Sequence, residues 1–124
     1  MEQKSSGLFN VIVRFTNLQG APLAGPQWSV EVVDEDPLRD DRLGTSSLNE
    51  HGEGRVFFSV ADVASLDSPG ERKPDLYFIL KRDGREVFRT GVERDVDFEA
   101  LDPVTGRPHD LTRDFGTIEV DIDP

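Results

Sequence analysis

The chain has no cysteine, one methionine, one tryptophan and one tyrosine. The absence of cysteine excludes disulfides, thiolate nucleophiles and cysteine-ligated zinc, and it leaves the redox compartment open. Imidazole is scarce too, with His51 and His109 as the only copies. No apolar run approaches the roughly 20 residues that a helix needs to cross a bilayer. The opening residues "MEQKSSGLFNVIVRF" lack the apolar h-region and cleavage site of a secretory signal, which favours a cytoplasmic location. Positive charge is also in deficit, with 14 Lys and Arg against 25 Asp and Glu, a net of −11. Phosphate backbones and anionic lipids need Lys and Arg to release their counterions, so neither nucleic acid nor membrane is the expected partner. At 124 residues the chain fits one domain, 1–124, long enough to bury a core.

What is present is a succession of short alternating runs separated by Gly, Pro, Asp and Asn, with little helical periodicity. In "LFNVIVRFT", Phe9, Val11, Val13 and Phe15 share one parity and therefore one sheet face. "WSVEVV" sets Trp28, Val30 and Val32 in phase, so Trp28 is read as core rather than as a sugar-stacking platform. "RLGTSSL" is a weak strand suited to an edge, and "RVFFSV" points Val56, Phe58 and Val60 inward. "DLYFIL" is apolar on both faces, as a central strand should be. "REVFRT" follows it across Asp83-Gly84, the strongest short hairpin signal, because both central residues of a type I′ turn need positive φ. "TIEVDI" closes the chain with Ile118, Val120 and Ile122 inward. The fold class expected is all-β, a seven- to eight-stranded Greek-key β-sandwich. Its expected core is Phe9, Val11, Val13, Phe15, Val30, Val32, Val56, Phe58, Leu76, Phe78, Leu80, Ile118 and Val120.

If each strand reverses its predecessor, the connections alternate between the two ends of the sandwich. Residues 34–43, 61–74 and 91–116 then fall at one end and carry 15 acids against 7 bases, a net of −8 out of −11. Within 61–74 a short helical turn would pack Val63, Ala64 and Leu66. The last connection is long for a structureless loop, and an extra short strand around 96–101, anchored by Phe98 and Leu101, would relieve that. At the opposite end, "NEHGEG" reads as a turn in which Gly52 and Gly54 supply positive φ.

The stretch "VEVVDEDPLRDDRLGTSSLNEHGEGRVFFSV" followed by "KPDLYFIL" resembles the transthyretin-like, or prealbumin-like, β-sandwich superfamily over about 30–77. Its Asp-x-Asp strand end, Asp-Asp loop and "PDLY"-like strand carry the likeness. "DFGTIEV" is similar to the last strand of carboxypeptidase-regulatory domains. The resemblance implies a Greek-key sandwich with a binding role. The transthyretin-like enzymes that hydrolyse hydroxyisourate end in Tyr-Arg-Gly-Ser, whereas this chain ends "VDIDP", so that activity is not carried over. Locally, "VEVVDEDPLRDDRLG" also resembles the calcium loop of C2 domains, which implies a calcium-binding alternative. In that case Asp62, Asp67, Asp95, Asp97 or Asp102 would supply further ligands.

Calcium needs about six to eight oxygen ligands from flexible loops, and it would relieve the mutual repulsion of clustered carboxylates. Asp34, Asp36, Asp40 and Asp41 are the candidate ligands; the competing reading has them capping turns and pairing with Arg39 and Arg42. No nucleophile, base and orienting group converge by spacing, so no catalytic residues are assigned and the chain is read as non-enzymatic. Carbohydrate binding and small-substrate catalysis remain minor alternatives. The main expectation is a protein-interaction module that meets a basic protein surface through its acidic loop end. It requires no cofactor, and calcium is the one ion its loop would suit. Oligomeric state is open.

Overall fold

The computed structural model describes residues 8–36, 39–59, 74–94, 96 and 111–122. Within them run seven strands: β1 (Leu8–Asn17), β2 (Gly25–Asp34), β3 (Asp41–Leu48), β4 (Glu53–Ser59), β5 (Leu76–Arg82), β6 (Arg85–Arg89) and β7 (Leu111–Val120). One sheet is ordered β4-β1-β7 and the other β3-β2-β5-β6. The chain changes sheet after β1, β3, β4 and β6, so the fold is the expected all-β Greek-key sandwich. The weak run "RLGTSSL" is the edge strand β3, and "DLYFIL" is the interior strand β5.

The period-2 alternation of β1, β2, β4 and β5 puts one face of each sheet into a shared core. Phe9, Val11, Val13 and Phe15 from β1 meet Val56 and Phe58 from β4, with Trp28, Val30, Val32, Leu76, Phe78 and Leu80 opposite. Phe9 and Phe58 form an edge-to-face pair at 5.5 Å, and Phe78 and Phe115 another at 5.0 Å. Of the expected core, Ile118 alone is half-buried rather than buried, as is Ile122 just beyond β7. Trp28 is 0% exposed, with the Arg82 guanidinium stacked 4.7 Å from the ring centroid, so it is core and not a platform. Leu23, Leu48 and Val96 join this core from turns and strand ends where alternation has no purchase. Val60 lies outside the described residues.

Two glycines act differently from the sequence expectation. Gly54 has no positive φ; it sits in β4 where a Cβ would come within 2.6 Å of Val30 Cγ1. Its service is the close approach of the two sheets. Gly52 does have φ +76°, as expected. Gly116 has φ +77° and lies inside β7, where Ile12 pairs with Asp114 but Arg14 pairs with Thr117. Two steps along β1 thus oppose three along β7, a bulge that left-handed glycine accommodates. The last strand therefore begins at Leu111, not at Thr117 as its alternation suggests. The Asp83-Gly84 turn is as expected, with φ of 52° and 81°.

All neighbouring strand pairs are antiparallel except β1 with β7, which run parallel. That pattern is consistent with every strand reversing its predecessor. It brings the end of β2, the start of β3, the start of β5 and the end of β6 to one end of their sheet, with the end of β4 and the start of β7 together in the other. Beyond β6 the chain runs on along β5: Glu93 bridges Leu76, and the Val96 amide donates to the Pro74 carbonyl. Of the extra strand expected around 96–101, only Val96 is among the described residues. Phe98, Leu101, Val63, Ala64 and Leu66 fall outside the described residues.

Candidate functional site

The acidic turn begins with Asp34, the last residue of β2. It continues the inward parity of Val30 and Val32, and it is accordingly only 1% exposed. A buried carboxylate needs hydrogen-bond donors, and Asp34 Oδ1 accepts the Asp75 amide at 3.1 Å. The Glu35 amide in turn donates to the Asp75 carbonyl at 2.8 Å. Asp34 thus ties β2 to the segment entering β5. Asp36 follows in the turn, and its amide donates to Asp40 Oδ1 at 3.1 Å. Asp40 is drawn to the opposite side of the sheet, where the Tyr77 hydroxyl donates to its Oδ2 at 2.5 Å. Asp41 opens β3 and pairs in register with Asp34.

The four candidate ligands therefore do not converge: Asp34 turns inward while Asp40 is held over the outer face. Among the described residues, no three Asp, Glu, His or Cys side chains are grouped to hold a metal ion. The calcium reading rests on the sequence alone. Asp62, Asp67, Asp95, Asp97 and Asp102, which would complete such a shell, lie outside the described residues. Arg42, an aspartate partner in the competing reading, makes its salt bridge back along the outer face to Glu31.

That outer face was not foreseen as a unit. Val33, Tyr77 and Ile79 point away from the main core yet are buried, with Val92 packed against them. Arg89 lies 5.1 Å from the Tyr77 ring centroid and is clamped by two hydrogen bonds to Glu86. Glu31, on β2, receives both Arg42 from β3 and Lys81 from β5, the latter at 2.9 Å, so one carboxylate ties three strands together. Burial alone would raise the Glu31 carboxyl, but the hydrogen bonds from Lys81 and Arg42, with their charges, outweigh it and hold it below its ordinary value. The hydrogen bond from Tyr77, then that from the Asp36 amide, holds Asp40 below the usual carboxylate range. Burial, then the hydrogen bond to Asp40 and its charge, pushes the Tyr77 phenol up to about 12. The signal available in the sequence was "DLYFIL" itself, since a strand apolar on its second face needs a second cover.

At the same end Arg94 bridges Glu35 and Asp75, the latter at 3.4 Å. His51 is exposed in the turn between β3 and β4, where its carbonyl accepts Arg14 Nε at 2.9 Å and its amide donates to Asn49 Oδ1 at 2.8 Å. His109 is outside the described residues.

Neither a protein-family model nor a curated protein matches the chain. Among solved structures, a 9R-lipoxygenase from Cyanothece PCC8801 superposes with a TM-score of 0.52 at 21% identity. The match covers 96% of this chain and 17% of the lipoxygenase. Catechol 1,2-dioxygenase from Acinetobacter sp. ADP1 superposes with a TM-score of 0.41 at 15% identity, over 98% of this chain and 58% of that one. The first likeness is one of fold.

Proposed function

We propose that the chain is a non-catalytic, transthyretin-like β-sandwich that acts as a protein-interaction module, with its acidic loop end as the contact surface and a basic protein surface as partner. The observation that carries this reading is strand polarity. The ends of β2, β4 and β6 and the starts of β3, β5 and β7 are the ends that feed the three acidic connections. Counted between the strand bounds, at 35–40, 60–75 and 90–110, those connections hold 13 acids against 5 bases, a net of −8. Charge so concentrated raises the encounter rate with a basic surface and fixes its approach. The transthyretin-like assignment is supported by the seven-strand Greek-key arrangement that the resemblance implies.

The test compares two triple variants of equal charge change in calorimetric titrations with an Arg- and Lys-rich peptide at low and high salt. One carries Asp36→Asn, Asp41→Asn and Glu93→Gln at the acidic end. The other carries Glu50→Gln, Asp83→Asn and Glu119→Gln at the opposite end. The first should lose most of the salt-sensitive affinity and the second should keep it. Equal loss in both would mean that net charge, and not one end of the sandwich, attracts the peptide.

A further inference from the structure

We draw no further inference here: the strongest candidate, the outer face of the three-stranded sheet around the exposed Phe57 and the half-buried Ile12, is an apolar patch and nothing among the described residues shows what covers it.

Discussion

Strands β2 and β5 bury both of their faces, but by different physics. On the inner face, Val30, Val32, Leu76, Phe78 and Leu80 are covered by the apolar side chains of a second sheet. On the outer face, Val33, Tyr77 and Ile79 are buried with Val92 packed against them, the Arg89 guanidinium held by Glu86 lies over the Tyr77 ring, and Glu31 binds Arg42 and Lys81. The inner face draws its stability from area removed from water and from close packing. The outer cover draws on hydrogen-bonded ion pairs with one side open to solvent, and it is therefore sensitive to pH. The Arg42 side chain is 64% exposed, so its pair with Glu31 is partly screened.

The largest test of this contrast is truncation. Phe78→Ala should cost about 3–5 kcal/mol, because it empties the centre of the shared core beside Phe115. Ile79→Ala, one residue along and on the other face, should cost about 2 kcal/mol, near the low end for such a change. Denaturant unfolding followed by the fluorescence of the single tryptophan, Trp28, measures both. Equal losses would make the outer cluster a second core and dissolve the distinction.

Next in size is the shared carboxylate. Glu31→Gln should cost about 1–2 kcal/mol at neutral pH, since it weakens two charge-assisted bonds, one of them partly screened. The folded carboxyl sits below its ordinary value of 4.5. Its contribution is therefore complete above that value and disappears as pH falls through the lowered one. The stability gap between wild type and variant should close on acidification over that window. A gap constant down to the acid limit would show that Glu31 acts by packing alone.

Tyr77 offers a smaller but sharper readout, because it is the only tyrosine. Its ultraviolet titration should be centred near 12 instead of the ordinary 10. With the folded value raised, the accompanying stability is present below pH 10 and lost as pH rises through 12. Asp40→Asn should move the midpoint downward by removing the charge while leaving the burial. A wild-type midpoint at 10 would mean that the outer face is open to water.

The smallest expected effect concerns calcium. With Asp34 bound to the Asp75 amide and Asp40 to Tyr77, calcium and sodium chloride at matched ionic strength should raise the melting temperature equally. A built cage would instead add about 2.7 kcal/mol at a hundredfold excess over its dissociation constant. A calcium-specific gain that Asp36→Asn removes would restore the cage and overturn the division of these aspartates between the two faces.

Parity explains both what was legible and what was missed. It identified the inward residues of β1, β2, β4 and β5, because a pleated strand leaves each side chain only two directions. It also placed Asp34 in phase with Val32, but the composition around "DEDPLRDD" argued for a calcium ligand or a solvated turn and not for a buried carboxylate. It failed at β7, where "DFG" carries a turn signal inside a strand and the bulge at Gly116 resets the alternation.

By itself the sequence determined the strands up to β6, the inner faces of β1, β2, β4 and β5, the Asp83-Gly84 hairpin and an excess of acid in particular connections, all of which are local properties of chain geometry and composition. Only the tertiary structure decided which strand each charge would meet. Arg42 bonds Glu31 instead of its neighbouring aspartates, Asp40 reaches Tyr77 and Arg94 spans Glu35 and Asp75. Such pairings depend on sheet order and register, which bring residues 11 to 59 positions apart within hydrogen-bond reach, and no spacing along the chain encodes that distance.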